Sequence, residues 1–272
     1  MRAGWALSGS VLQWPELPIV SAGPTRYQTV MGDKTDTGLI KLMAWSGVLL
    51  VISLGSSYGL MGFLPPPSPN LTPDALKAVF VERSTRILFG TAIECLGFTF
   101  YLTWACSIIM VMRKMESGLP VLSLTSLANA GGGYVLFLMM PFTWAALAYR
   151  APGLDAWFVQ FMNDWAWFVF ILSWPPFAIF MIMIAIAIFR DRNASPLMPR
   201  WIAYYNLWCA LTISPALLIE FFKTGPFTYA GAIDFWMIFA VFFGWMVVMT
   251  VATVKACDRI RAMEDTPGGV LA

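Results

Sequence analysis

The stretch LFGTAIECLGFTFYLTW, residues 88–104, is apolar almost throughout but carries a carboxylic acid, Glu94, near its middle. An apolar run of this kind is typical of a helix that crosses a membrane, which takes about 20 helical residues. An acid inside such a helix is costly unless it is protonated, paired or hydrated. The stretch therefore predicts a membrane-spanning helix and a polar position within it.

The composition of the whole chain supports a membrane protein. Of the 272 residues, 59% are hydrophobic and only 12% are charged, whereas soluble domains have about a quarter charged residues. The net charge of +2 gives no indication of nucleic-acid binding. The chain has no histidine, which excludes histidine-ligated haem and zinc and a histidine general base. We predict no cofactor and no metal site, and the four cysteines are interpreted as small apolar residues.

Six apolar stretches are long enough to cross a membrane as helices. They cover residues 39–63, 86–112, 122–149, 157–189, 201–222 and 229–255. The fourth is too long for one perpendicular helix, so we expect an interfacial turn at 156–164 and then a helix kinked at Pro175 and Pro176. The predicted fold class is all-α: a polytopic transmembrane helical bundle with six spans.

The predicted six-helix transmembrane domain, residues 39–255, is flanked by two tails. Residues 1–38 contain scattered proline, glycine and charge but no apolar core of a signal peptide. We interpret them as an N-terminal tail that is either disordered or the product of a mis-assigned start, since Met31 opens a plausible coding start. Residues 256–272 are predicted to form a cytoplasmic tail.

The loop charges predict the orientation of the bundle. With six spans, one side holds both chain ends and the loops at 113–121 and 190–200, and it carries 12 of the 17 Lys and Arg residues, against 5 on the other side. Cytoplasmic loops are enriched in Lys and Arg. We therefore expect a multi-pass protein of the cell membrane with both termini cytoplasmic.

The longest outer loop, residues 64–86, contains a signal for a short surface helix. Thr72 is suited to cap it, with Pro73 at its first position and Asp74 beside the positive end of the helix dipole. We expect this helix to lie on the outer surface, either as a connector or as a lid.

Polar residues of several spans are predicted to lie at one depth, in the outer half. Together they suggest a polar pocket open to the outer side with Glu94 at its floor, although each also fits an ordinary interfacial position. Glu94 itself fits either a binding site or a protonated acid bonded to a neighbouring helix. Lys223 is expected to pair with Glu220 or Asp234. The candidate binding residues are Glu94, Tyr101, Asn129, Asn163, Asp164, Glu220, Lys223 and Asp234.

The third span contains the glycine-rich segment LANAGGGYVLF, residues 127–137. Asn129 and the glycines at 131–133 fit either a broken helix that exposes carbonyls to a ligand or close packing of an intact helix. In the first span, Gly55 and Gly59 form a small-xxx-small pair that is typical of helix contacts within a protein or between copies.

The 13 tryptophans divide by predicted depth. Six lie near span ends and are interpreted as an aromatic belt: Trp144, Trp157, Trp165, Trp167, Trp201 and Trp236. Four lie deeper and fit either a cavity lining or core packing: Trp104, Trp174, Trp208 and Trp245.

Several stretches resemble a set of uncharacterised bacterial multi-pass membrane proteins that are common in actinobacteria. They are PPPSPNLTPDALKAVFVERSTRILFG, NDWAWFVFILSWPPF, PRWIAYYNLWCAL and FFKTGPFTYAG, and the similarity covers most of residues 40–250. The resemblance implies six spans and a bacterial inner membrane. The family has no assigned activity, so no functional residue is transferred.

Three classes of function remain open. The first is binding or movement of a small apolar or amphipathic molecule through the outer pocket. The second is an accessory or assembly subunit of a membrane complex, with a partner membrane subunit on the small residues of the first span. The third, ranked last because no catalytic motif is present, is a lipid-modifying enzyme that uses carboxylates. The expected partners are membrane lipid and a small apolar ligand or a partner subunit, and no nucleic acid.

Overall fold

The structure is a computed structural model that describes residues 34–266 of the chain. Its regular secondary structure within this range is entirely helical, with no strand. The helices are α1 (Thr37–Met61), α2 (Pro73–Glu82), α3 (Ser84–Arg113), α4 (Val121–Arg150), α5 (Ala156–Ile171), α6 (Trp174–Arg190), α7 (Arg200–Thr212) and α8 (Ile238–Asp265). A 3₁₀ turn, Ser214–Glu220, extends α7, and a π-helical turn, Ala232–Met237, precedes α8.

Six helical segments are long and apolar enough to cross a membrane. They are α1, α3, α4, the α5–α6 pair, α7 with its 3₁₀ turn, and α8 with its π turn. The predicted all-helical architecture with six long apolar helices is therefore confirmed, and it indicates a multi-pass membrane protein. The prediction for the first tail falls mainly on residues 1–33, outside the described range, whereas α8 continues well past the predicted domain end at residue 255.

The six segments pack into a closed ring. Helix α3 packs against α1 and α4, α4 against α5 and α6, α6 against α7, and α8 against both α1 and α7. The end with Thr35, the connections at 114–120 and 191–199, and Asp265 is called the terminal end. The opposite end, with residues 62–83, 151–155 and 221–231, is called the first-loop end.

Glu264 joins three helix ends at the terminal end. Its carboxylate accepts hydrogen bonds from the backbone N–H and hydroxyl of Thr35, at 3.0 and 2.5 Å. The ammonium group of Lys114, just after α3, lies 3.6 Å from the same carboxylate. A second ion pair between Lys41 and Asp258 also links α1 to α8. These contacts hold the first and last helices side by side.

The fourth segment is broken at a different place from the one predicted. Residues 156–164 are regular helix rather than an interfacial turn, because Asp155 caps α5 and accepts the N–H of Trp157 at 2.9 Å. The break lies at residues 172–173, and Pro175 and Pro176 occupy the first turn of α6. A helix has no internal partner for the N–H groups there, so proline is tolerated.

Helix α4 runs without a break through the glycine-rich segment, so the broken-helix alternative is wrong. A Cβ atom at Gly133 would lie 2.6 Å from Cζ of Phe177 on α6, which identifies Gly133 as a packing position. Gly131 and Gly132 have no such neighbour within 4 Å.

The predicted surface helix is present as α2. The Thr72 hydroxyl accepts the N–H of Ala75 at 3.3 Å, and Pro73 is the first helical residue. Leu76 and Phe80 form its buried side, which packs toward α5. Helix α2 therefore covers part of the first-loop end.

Candidate functional site

Glu94 points into the interior of the bundle from α3. It lies ten residues after Ser84, or about 15 Å along the helix axis from the first-loop end. The residue is fully buried, and neither carboxyl oxygen has a hydrogen-bond partner within residues 34–266. The Tyr58 hydroxyl on α1 donates to Sδ of Met140 at 3.7 Å. It also lies near the Glu94 carboxyl but does not reach hydrogen-bond geometry with it. A buried carboxyl group without a partner can accept a hydrogen bond from a ligand or, when ionised, pair with a cationic group.

Tyr58 belongs to a cluster of four buried rings and one half-buried ring from four segments of the bundle. Its ring centroid lies 6.1 Å from that of Trp144 and 6.3 Å from that of Trp167. The rings of Phe235 and Phe239 lie at 6.4 and 5.5 Å. We call these five residues the aromatic cluster. The indole N–H groups of Trp144 and Trp167 make no hydrogen bond with the described part of the chain, so the cluster has spare donors beside the acid.

Tyr229 connects the aromatic cluster to two predicted site residues. Its ring stacks on Trp167 at 5.3 Å, its hydroxyl donates to Oδ1 of Asp164 at 2.9 Å, and the amide of Asn163 donates to that hydroxyl at 3.4 Å. Burial, together with the neighbouring Asp164 carboxylate, raises the pKa of Tyr229. The hydroxyl therefore remains protonated and serves as the donor to Asp164.

Asp234 provides a second buried acid, in the π-helical turn before α8. It is fully buried, and both carboxyl oxygens have no partner among residues 34–266. It lines a cavity of about 50 Å³ together with Phe98, one helical turn after Glu94, and Phe239 of the aromatic cluster. The other lining residues include Leu54, Phe137, Phe170, Trp174 and Phe177. The lining is thus apolar except for Asp234 and Ser173, and Ser173 lies in the break between α5 and α6.

Four of the eight predicted site residues are connected in this way. Tyr58 lies near both Glu94 and the ring of Trp167, which stacks on Tyr229. The Tyr229 hydroxyl in turn is hydrogen-bonded to Asn163 and Asp164. Phe235, next to Asp234, contacts the rings of both Tyr58 and Trp167. We call Glu94, Asn163, Asp164 and Asp234, with the aromatic cluster, the candidate site.

The other four predicted residues lie outside the candidate site. Tyr101 is buried about 10 Å further along α3 than Glu94, where its ring contacts Phe137 and Phe177. The Asn129 amide donates to a carbonyl of its own helix at 2.8 Å. Glu220 and Lys223 are exposed.

The ion pairs predicted for Lys223 do not form. Within residues 34–266, Lys223 is not within ion-pair distance of Glu220 or Asp234. Lys223 is exposed and takes no part in the buried centre of the candidate site.

The predicted aromatic belt needs a correction. Four of its members are well exposed, as a belt requires: Trp157, Trp165, Trp201 and Trp236. Trp144 and Trp167 are instead fully buried and form the wall of the candidate site. A position near a span end fixes depth, but the rotation of the helix decides whether a ring faces lipid or the core.

The deeper tryptophans behave in three ways. Trp104 and Trp245 are core residues, and their indole N–H groups donate to Thr250 at 2.9 Å and Asn206 at 2.8 Å. Trp174 lines the cavity, while Trp208 is 51% exposed on the outside of the bundle.

Tyr58 and Tyr229 carry no signal in the sequence. Tyr58 lies near the end of α1 and Tyr229 in the connection before the π-helical turn, and only their contacts identify them. No group of three or more Cys, Asp or Glu side chains in residues 34–266 comes together in a way that would hold a metal ion. Comparisons with family models, curated proteins and solved structures find no match to the chain.

Proposed function

We propose that this chain is a multi-pass protein of a bacterial inner membrane that binds, and in this way moves, a small apolar or amphipathic molecule in the candidate site. The observation that carries the proposal is the largely apolar cavity bordered by the unpartnered Asp234 and by Phe98, one helical turn from the equally unpartnered Glu94. Buried polar groups without partners are rare in proteins and often mark functional positions.

The chemistry of the site suits a ligand with one polar or positively charged group. Two carboxyls accept hydrogen bonds from hydroxyl or amine groups, and the rings of Tyr58 and Trp167 supply apolar faces that also attract cations. The unpartnered indole N–H groups of Trp144 and Trp167 can donate to the ligand. An apolar body would occupy the phenylalanine-lined cavity.

Access requires a movement of the helices. The cavity of about 50 Å³ is smaller than typical ligand pockets of roughly 300–1,000 Å³. It borders the break at residues 172–173, where the chain lacks continuous helical hydrogen bonding. We propose that α6 tilts at this break to enlarge the cavity. From the loop charges, the first-loop end faces the extracytoplasmic side and both termini are cytoplasmic.

The test is ligand retention by the purified protein. The protein is extracted in mild detergent and analysed by native mass spectrometry for bound small molecules. Glu94→Gln and Asp234→Asn keep the size of each side chain but remove its ability to carry a negative charge. Glu82→Gln, on the exposed side of α2, is the matched control.

We expect the wild type and Glu82→Gln to retain a common small molecule that both site variants lose at least tenfold. Equal retention by Glu94→Gln, Asp234→Asn and the wild type would contradict a role of the acids in binding. A folded wild type that carries no small molecule after extraction and none after incubation with amphipathic amines would contradict the binding function itself.

One observation favours the accessory-subunit alternative. Gly55 and Gly59 on α1 lie on the surface, and a Cβ atom at either position would have no neighbour within 4 Å. Small exposed residues spaced by four allow another helix to approach closely. A partner chain that co-purifies with the wild type but not with a Gly55→Leu/Gly59→Leu variant would support this alternative.

A further inference from the structure

A groove between α7 and α8 at the terminal end has two distinct parts. Val247 and Val251 line its apolar upper part, toward the middle of α8, and Trp201 and Ile202 in the first turn of α7 form the facing wall. Lys255 and Arg259 of α8 line its lower part, and its volume is about 290 Å³. This groove lies far along α8 from the candidate site and does not depend on the proposed function.

The length of the groove corresponds to one membrane leaflet. Val247 and Arg259 are 12 residues apart on α8, or about 18 Å along the axis. Half of a bilayer hydrocarbon core is about 15 Å thick. A phospholipid chain lying along Val247 and Val251 would therefore place its headgroup at Lys255 and Arg259.

Some cations at the terminal end form ion pairs, whereas the two cations of the groove do not. Lys41, Lys114 and Arg261 each lie near an acidic side chain. Lys255 and Arg259 have no acidic partner within residues 34–266. No acidic side chain of the described residues therefore compensates the charge of this part of the groove.

Arg259 is also held in a fixed position. One terminal nitrogen, Nη1, donates to the backbone carbonyls of Pro196 and Leu197 at 2.9 and 3.1 Å. Its remaining N–H groups make no hydrogen bond with the described part of the chain. A guanidinium fixed in this way is suited to a phosphate group, which it can bind through two parallel hydrogen bonds.

We propose that the α7–α8 groove binds one anionic phospholipid. The phosphate contacts Lys255 and Arg259, and one acyl chain lies between Trp201 and Val251. Basic pockets between transmembrane helices are a known form of lipid headgroup site. A free phosphate ion would occupy only the basic part of the groove. The apolar upper part and the length of one leaflet therefore favour a lipid over a phosphate ion.

The experiment compares lipid retention by native mass spectrometry. The purified protein is incubated with phosphatidylglycerol or with phosphatidylcholine of the same chains. Lys255→Gln is the principal variant because Lys255 makes no contact that the fold needs, and Arg259→Lys tests the fixed guanidinium. Arg190→Gln/Arg192→Gln is the matched control, since these exposed arginines lie at the same end beside a different groove.

We expect the wild type to prefer phosphatidylglycerol. Lys255→Gln should weaken that preference about fivefold, because each basic residue near an anionic headgroup strengthens binding of the lipid. Val251→Trp, which fills the apolar part, should lower retention of both lipids, whereas the Arg190/Arg192 variant should match the wild type. An unchanged preference in Lys255→Gln, or an equal loss in the Arg190/Arg192 variant, would overturn the proposal. Displacement of the lipid by glycerol 3-phosphate alone would also overturn it.

Discussion

Two glycines of helix α1, Gly47 and Gly55, lie in the same apolar sequence but have opposite surroundings. Gly47 faces α3 and α8, where a Cβ atom would lie 2.6 Å from the Trp104 indole nitrogen and 2.9 Å from the Thr250 hydroxyl. Gly55 has open space around it. The close approach at Gly47 lets Trp104 donate its N–H to Thr250 at 2.9 Å and so joins three helices.

Gly47→Ala is expected to lower the free energy of unfolding by about 1–3 kcal/mol, because the added methyl group overpacks this contact. Gly55→Ala is the control, and it should raise stability by up to about 1 kcal/mol because alanine favours helix over glycine. Thermal unfolding in detergent, followed by circular dichroism, measures both. Equal shifts for the two variants would contradict the packing role of Gly47.

The site residues were predictable to different degrees. Glu94 is conspicuous because any acid in a long apolar run predicts a buried polar position. Asn163 and Asp164 were predicted from their depth alone, and the contacts with Tyr229 supply the reason they lie together. Trp144 and Trp167 were assigned to the wrong environment because sequence spacing does not fix how each helix is rotated against its neighbours.

At the scale of helices, capping side chains and prolines determine where several helices begin and where the fourth segment is interrupted. Thr72 before Pro73 and Asp155 before α5 cap their helices through side-chain oxygens. The prolines of the fourth segment are predicted to kink a continuous helix, but the helix is instead interrupted at residues 172–173 and the prolines lie in the first turn of α6. The α4 glycines could not be interpreted from sequence, since packing and helix interruption require the same small residues.

Thr72→Ala is expected to loosen the first turn of α2 without detaching the helix, because Leu76 and Phe80 remain buried. Loss of an N-cap costs about 1 kcal/mol, so hydrogen exchange at Ala75 should accelerate about fivefold. Thr72→Ser keeps the hydroxyl and should exchange like the wild type. An unchanged rate at Ala75 in Thr72→Ala would mean that tertiary packing alone holds this turn.

At the scale of the whole molecule, the apolar stretches along the sequence are sufficient to predict six long apolar helices. They are not sufficient to predict which helices are neighbours. The ring places α8 between α1 and α7, and it brings the unpartnered acids of α3 and the π turn toward one cluster of rings. Such arrangements depend on contacts between residues far apart in the chain, which have no local signature.

The proposed orientation predicts which exposed positions react from outside the cell. Asn70→Cys at the first-loop end and Ser117→Cys at the terminal end are placed in a background with the four native cysteines replaced by alanine. A membrane-impermeant maleimide should label Asn70→Cys in intact cells and Ser117→Cys only after permeabilisation. The reverse pattern would contradict cytoplasmic termini.

The contact between Thr35 and Glu264 has a consequence for the order of the helices. Because the start of α1 and the end of α8 are adjacent, a short linker could join residue 266 to residue 35, and the chain could be reopened within the connection at 116–120. Every helix would keep its neighbours in such a circular permutant. The ring therefore depends on which helix faces are in contact and not on the order of the helices in the chain. The same bundle could be encoded with α4 as its first helix.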